Sequence, residues 1–334
     1  MILVTGGTGL VGGHLLWHLL QENDRICAIK RASSNLNPLK TIFSFYNSEP
    51  DDFLARIDWI IADVLDVDSM QLALVNITQV FHCAAVVSLG NNSEYLLDTN
   101  VTGTRNIVTI ALEMKIEKLC FVSSIAACGK AEMKLEIDEN CSWNENKSTS
   151  LYALSKYYSE QEVWKGIGNG LNAVIVNPGV ILGVSGTNTG SSQLFSQVKK
   201  GLIFFTNGGS GYLDVQDVVK AMMVLMKSKI SGERFILVSE NCSNRNVLSW
   251  MADGFAMRRP FIPIGRKTLW LVGVLSEFLG SIFRFNPLID RGTSRSATNR
   301  SYYSSQKIKN AIDWNFKPIK DCIMQVCEFE RKTL

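Results

Sequence analysis

The sequence predicts an α/β fold in which a doubly wound parallel sheet carries a smaller, partly discontinuous C-terminal cap. Three observations lead there. Short apolar runs alternate with helix-period segments through the first half of the chain. A glycine-rich turn stands directly between the first run and the first helical segment. Beyond about residue 179 the pattern loosens into Gly-, Ser- and Asn-rich stretches and longer irregular segments.

Strands are expected near 2–5, 25–30, 57–62, 79–83 and 118–123, and helices near 10–22, 66–75, 92–115 and 148–168. A sixth run, Ala173-Val174-Ile175-Val176-Asn177, stops at the turn residues Pro178-Gly179. The segment Thr5-Gly6-Gly7-Thr8-Gly9-Leu10-Val11-Gly12 follows the first strand and opens the first helix. In that position Gly6 allows a sharp turn, Gly9 lets a pyrophosphate approach the backbone, and Gly12 permits close helix–sheet packing. The helix amino terminus adds unpaired N–H groups and partial positive charge. Residues 1–178 therefore read as a Rossmann-type dinucleotide-binding domain and 179–334 mainly as a substrate cap. A segment of about 204–240, with a helix near 215–228 and a strand at 234–238, is expected to return to the nucleotide domain. Ligands of open parallel sheets bind beyond the carboxyl ends of the strands, so the substrate pocket is expected under the cap.

The 334 residues, 46% hydrophobic and 19% charged, can bury a sizeable core and do not read as disordered. A formal charge of +3 without a basic stripe speaks against nucleic acid as a partner. The eight cysteines form no C-x-x-C and no zinc spacing, and read as reduced thiols. His14 and His18 share a helix face but have no third ligand in view, so no metal is expected. The first strand begins at residue 2, leaving no room for a signal sequence, and a cytoplasmic protein is expected. The apolar stretch from Leu269 to Phe283 is interrupted by Ser276, Glu277, Gly280 and Ser281 and falls short of the roughly 20 residues of a membrane span.

The second strand ends in Lys30-Arg31, where an acidic residue would bind the ribose 2′-hydroxyl of NAD and repel a 2′-phosphate. Two cations followed by Ser33 and Ser34 favour NADP(H), with NAD(H) as the alternative. Asp63, after the third strand, either accepts from an adenine amino group, with Val64 beside the ring, or caps the next helix. Phe81-His82-Cys83-Ala84-Ala85 ends the fourth strand in small residues against which a flat cofactor ribose could lie.

Tyr152 and Lys156 lie four apart on one helix face and can act on the same ligand. A neighbouring ammonium favours phenolate and makes Tyr152 a usable acid/base, while Lys156 could also bind the nicotinamide ribose. Tyr303 and Lys307 have the same spacing, but nothing upstream of them suggests a site. The first pair instead follows Leu119-Cys120-Phe121-Val122-Ser123-Ser124, whose carboxyl end would bring the Ser124 hydroxyl to a substrate carbonyl.

With these motifs assembled, nearly the whole chain resembles an extended short-chain dehydrogenase/reductase. The family's T-G-x-x-G-x-x-G turn matches Thr5 to Gly12, its acidic residue matches Asp63, its strand-end serine matches Ser124, and its Y-x-x-x-K matches Tyr152 to Lys156. The resemblance implies a structural or relay role for Asn100. It also places Ser123 and Asn177-Pro178-Gly179-Val180 beside the nicotinamide, although many members carry Arg where this chain has Asn177. Arg31 falls where dihydroflavonol 4-reductase-like and related ketone reductases bind the 2′-phosphate; the 3β-hydroxysteroid dehydrogenase-like branch is similar. Homodimers through the helices bearing the Tyr/Lys pair and its predecessor are a further implication. The preferred expectation is hydride transfer between NADP(H) and the carbonyl or hydroxyl carbon of a small, fairly apolar substrate. The alternatives are a nucleotide-sugar epimerase with tightly held NAD and a non-catalytic dinucleotide sensor.

In the cap, Asp214 and Asp217 are expected to cap a helix, and Asn207-Gly-Gly-Ser-Gly211 to form a mobile loop ahead of an anion site built from backbone amides. Tyr212-Leu213-Asp214 resembles a family segment near the substrate, which implies that Tyr212 borders the pocket. The apolar segment 267–285 is expected to be a buried cap helix or pocket wall, ahead of a membrane-surface role. Arg258, Arg259, Arg266, Lys267, Arg291 and Arg295 flank it.

Overall fold

The apolar runs become strands because successive side chains are buried on opposite faces of one sheet. The computed structural model describes residues 1–87, 93–129, 136–145, 149–265, 267–268 and 298–333. Strands β1 (Ile2–Thr5), β2 (Ile26–Lys30), β3 (Ile57–Ile61), β4 (Gln79–His82), β5 (Lys118–Val122) and β6 (Ala173–Pro178) fall where the periodicity puts them. Helices at Leu10–Leu19, Val67–Ala73 and Leu151–Gly168 likewise match it. Strands β7 (Val180–Leu182), β8 (Phe204–Thr206), β9 (Gly209–Asp214), β10 (Glu233–Leu237), β11 (Glu240–Ser243) and β12 (Ile262–Ile264) follow.

The large sheet has seven strands in the order β10-β6-β5-β4-β1-β2-β3, each pair parallel. Val4, Ala28, Phe81, Cys120 and Val174 share one core with the helices Leu10–Leu19 and Val215–Lys227. Leu3, Cys27, Val80, Leu119 and Ala173 share the other with Gly103–Glu113 and Leu151–Gly168. Fully buried Phe81, Phe121 and Phe235 are each worth about 1.5–3 kcal/mol of apolar burial. Chain order reverses between β1 and β4, which opens a crevice at their carboxyl ends.

Several local features were not anticipated. Two short helices, Asn37–Ser44 and Pro50–Leu54, join β2 to β3, each with a proline in its first turn. The expected helix 92–115 is observed as Ser93–Leu97 and Gly103–Glu113 joined by a π-helical turn, Asp98–Thr102. Strand β10 extends the sheet beyond β6 after the helix Val215–Lys227, where a strand at 234–238 and a helix near 215–228 were expected.

The cap contains a three-stranded sheet, β11-β9-β7, and the pair β12-β8. Helices Ser192–Lys199, Asn244–Gly254 and Ile319–Lys332 pack in its core. The expected mobile loop at 207–211 is instead the start of β9, paired to β11 from Gly209 to Tyr212. A side chain at Gly209 would come within 2.8 Å of the Cys242 carbonyl, which is why glycine occupies a strand there. Among the described residues no helix is long and apolar enough to cross a membrane. Of the segment 267–285, only 267 and 268 are described, and Arg266, Arg291 and Arg295 also lie outside the described residues.

Candidate active site

The glycine turn is built by contacts that only glycine permits. Gly6 has φ +67°, and a Cβ there would lie 2.6 Å from the Ala84 nitrogen. A Cβ at Gly12 would lie 2.2 Å from the Gly6 carbonyl. Gly12 thus packs the helix on the turn itself, whereas Gly13 is the glycine that meets apolar neighbours, Ile42 and Leu39. Gly9 is different. Among the described residues a Cβ there would meet only the Gly6 carbonyl, at 3.3 Å. Gly9 is also the N-cap of Leu10–Leu19 with no side-chain cap, so the first N–H groups remain available to an anion. With Thr8, Leu10 and Val11 around it, this cradle fits a pyrophosphate.

Cys83, Ala84 and Ala85 abut that turn, and the Ala84 N–H donates to Thr5 Oγ1 at 3.1 Å. Behind them His82 joins Thr5 Oγ1 at 2.7 Å and Thr104 Oγ1 at 3.0 Å. Thr104 in turn donates to the Asn100 carbonyl at 2.6 Å. Its hydroxyl proton is therefore spent, and His82 must carry its proton on Nε2.

At the end of β2, Lys30 stands 6.0 Å from the Trp59 ring centroid and the exposed Arg31 donates to the Tyr95 hydroxyl. The Arg31 N–H is held by Ser34 Oγ at 3.1 Å. Asp63 accepts from the Leu65 N–H at 3.0 Å, and the helix Val67–Ala73 is capped by Asp66, so capping is not what occupies Asp63. Val64 is buried against Gly103, where a Cβ would sit 2.7 Å from its side chain. Its side chain is committed to that helix, and only its backbone can border a ring.

Ser150 caps the helix Leu151–Gly168 by accepting from Ala153 N–H at 3.2 Å. Tyr152 and Lys156 follow one turn apart. Ser124 follows β5, and its hydroxyl accepts from the Ala126 N–H at 3.1 Å. Its side chain lies near enough to the Tyr152 phenol to act on its pKa. Burial pushes the phenol above its usual pKa, and Ser124 pulls the other way. Lys156 is 3% exposed, donates to the Val122 carbonyl at 3.0 Å, and lies 5.5 Å from the Phe121 ring centroid. Burial brings its pKa down to about 8, with Cys83 and Glu160 opposing the shift. The geometry allows a proton to pass at the Tyr152 oxygen with a cation held below it.

Asn100 sits in the π-helical turn and uses its whole amide internally. It accepts from the Val86 N–H at 2.7 Å and donates to the Val86 carbonyl at 3.0 Å and to Ser155 Oγ at 2.9 Å. Ser155 Oγ donates to the Tyr152 carbonyl at 2.8 Å. Asn100 thus ties the segment after β4 to the helix that carries Tyr152.

Other placements differ from expectation. Ser123 and Asn177 do not present side chains to the crevice, because both donate to the buried Glu160 carboxylate, at 2.7 and 2.8 Å. Pro178 is buried, while Gly179 and Val180 remain half-buried at the strand end. Tyr212 is 5% exposed and donates to Asn244 Oδ1 at 2.8 Å, which makes it a core residue rather than a pocket wall. Asp214 caps Val215–Lys227 and pairs with Lys317 at 2.9 Å. Lys307 pairs with Glu233, and Tyr303 is bonded through its backbone to Asn241, so that second pair is structural. Sequence reasoning missed Glu160 and its partner Arg234, 2.9 Å away. The available signal was Glu160 four residues past Lys156 on the same helix face.

Comparisons with known proteins bear on the family and the fold. Residues 2–237 match the NAD dependent epimerase/dehydratase family, a stretch that ends with β10. A Synechocystis protein provisionally named dihydroflavonol 4-reductase is 30% identical, covering 96% of this chain and 91% of its own length. Sterol demethylase protein B of Methylococcus capsulatus is 27% identical over 82% of this chain and 80% of its own. The crystal structure of gox2253 matches with a TM-score of 0.81 at 26% identity, covering 100% of this chain and 98% of that one. On the family match, the glycine cradle and the doubly wound sheet, this chain belongs to the NAD dependent epimerase/dehydratase family, the extended short-chain dehydrogenases/reductases, whose members bind a nicotinamide dinucleotide.

Proposed function

We propose that this protein is an NADP(H)-dependent oxidoreductase acting on the carbonyl or hydroxyl carbon of a small, fairly apolar substrate. The observation that carries the proposal is the placement of Ser124 beside the Tyr152 phenol, with the Lys156 ammonium one turn below, at the carboxyl end of β5. The Gly6–Gly12 cradle would hold the pyrophosphate, Asp63 the adenine side, and Lys30 and Arg31 the 2′-phosphate. When bound, the nicotinamide supplies or accepts the hydride. Ser124 donates to the substrate oxygen and so draws charge toward it. Tyr152 delivers the proton in reduction and removes it in oxidation. Lys156 stabilises developing phenolate and orients the ribose. The names of two relatives, a dihydroflavonol reductase and a sterol demethylase protein, support an apolar ring-bearing substrate.

The test is calorimetric titration of cofactor-stripped protein with NADPH and NADH, repeated on Arg31→Ala. A charge-assisted hydrogen bond is worth about 1.5–3 kcal/mol, so NADPH is expected to bind roughly 10- to 100-fold more weakly to the variant. NADH binding is expected to stay unchanged. Equal affinity for both cofactors in the parent protein overturns the NADP(H) assignment.

A further inference from the structure

Directly behind Ser124 lies a buried polar cluster that the chemistry described above does not use. Its centre is Glu160, 1% exposed. One carboxylate oxygen accepts from Ser123 Oγ at 2.7 Å and Asn177 Nδ2 at 2.8 Å. The other accepts from Arg234 Nη1 at 2.9 Å and Trp164 Nε1 at 3.2 Å. Asn177 Nδ2 also donates to the backbone carbonyl of Ser124 at 3.1 Å. Both of its neighbours, a carboxylate and a carbonyl, can only accept, which fixes the orientation of the amide. Among the described residues the Asn177 Oδ1 is thereby left buried without a partner, a cost that an apolar residue at this position would not carry. The bridge to Ser124 is what the asparagine provides in return.

We propose that Glu160 and Asn177 are positioning residues for the Ser124–Tyr152–Lys156 set. Asn177 tethers the Ser124 carbonyl to the Glu160 carboxylate and so fixes the strand end whose hydroxyl meets Tyr152. Glu160 anchors that tether, its two carboxylate oxygens held by Ser123, Asn177, Trp164 and Arg234. This inference rests on the oxidoreductase reading for the meaning of the Ser124–Tyr152–Lys156 geometry.

The surroundings of the tether are defined. Glu160 meets Arg234 from β10, Asn177 from β6, Ser123 after β5 and Trp164 from its own helix. Lys156, one turn earlier, donates to the Val122 carbonyl and lies over the Phe121 ring, both of β5. Arg234 is held on its far side by the Glu139 carbonyl at 3.1 Å.

The experiment compares the full-length protein with Glu160→Gln and Asn177→Leu. Circular dichroism, thermal melting, NADPH affinity, and kcat and KM for NADPH-dependent turnover of the apolar diketone 1-phenyl-1,2-propanedione are measured. Asn177→Leu is expected to keep the melting temperature, NADPH affinity and KM while lowering kcat roughly tenfold or more, and folded Glu160→Gln to lower kcat in the same way. Unchanged kcat in Asn177→Leu overturns the tether. If Glu160→Gln does not fold, Asn177→Leu decides alone. Failure of the parent to bind NADPH or turn over the diketone counts against the oxidoreductase reading, whereas an active parent with an unaffected Asn177→Leu counts against the tether alone.

Discussion

A Tyr152→Phe variant is expected to bind NADPH as the parent does and to lose about 10²- to 10⁴-fold in kcat, the usual worth of a positioned proton donor. Phenylalanine keeps the ring volume and removes only the hydroxyl that lies beside Ser124. The bond from Ser155 to the residue's carbonyl is a backbone contact and survives the change. A melting temperature close to that of the parent is therefore expected, which separates lost chemistry from lost fold. The pH dependence follows from the same group. Burial raises the phenol pKa, so Tyr152 is protonated at neutral pH and poised to donate in carbonyl reduction. Alcohol oxidation needs the phenolate and should rise with pH until Lys156, with its pKa near 8, begins to lose its proton. Steady-state rates in both directions with apolar ketone and alcohol pairs check this. Full kcat in Tyr152→Phe would mean that the proton comes from another group.

The second large effect is loss of stability in mild acid. The chain has three histidines, and all are depressed by burial, His14 and His18 to about 4 and His82 to about 3. Each has a lower pKa folded than unfolded, so between pH 6.5 and these values the unfolded chain binds protons that the native protein refuses. Their contribution is fully present above the ordinary histidine pKa and is lost as pH falls through it toward the folded values. One pKa unit is about 1.4 kcal/mol, so each fully buried imidazole withdraws a few kcal/mol by about pH 4, against a total stability of about 5–15 kcal/mol. Thermal melts from pH 7.5 to 4.5 are expected to show a steep fall below pH 6.5. The buried carboxyls Glu139 and Asp217, raised by burial, act in the opposite sense. His82→Gln isolates one imidazole and should flatten the curve. A melting temperature constant from pH 7.5 to 5 would exclude neutral buried histidines.

What the sequence by itself determined is whatever depends on neighbours along the chain. Backbone sterics require glycine at Gly6 and Gly12, and both stand in a strand–turn–helix reading visible from residues 2–19. Helical periodicity puts Tyr152 and Lys156 on one face, and turn residues mark the end of β6. The tertiary structure alone decided matters that turn on which distant residue is met. The resemblance puts Ser123 and Asn177 beside the crevice, yet their side chains turn to Glu160, whose own charge is met by Arg234, 74 residues away. The glycines at 209 and 211 suggest a loop until β11 and Val238 are brought against them. Tyr212, a pocket candidate by the resemblance, finds Asn244 and is buried. The π-helical turn at Asp98–Thr102 carries no local signature, since what accompanies it is the pairing of Asn100 with Val86 and Ser155. A buried polar group must find its partners wherever the fold places them. Local sequence can state that such a group needs partners, and only long-range packing can supply them.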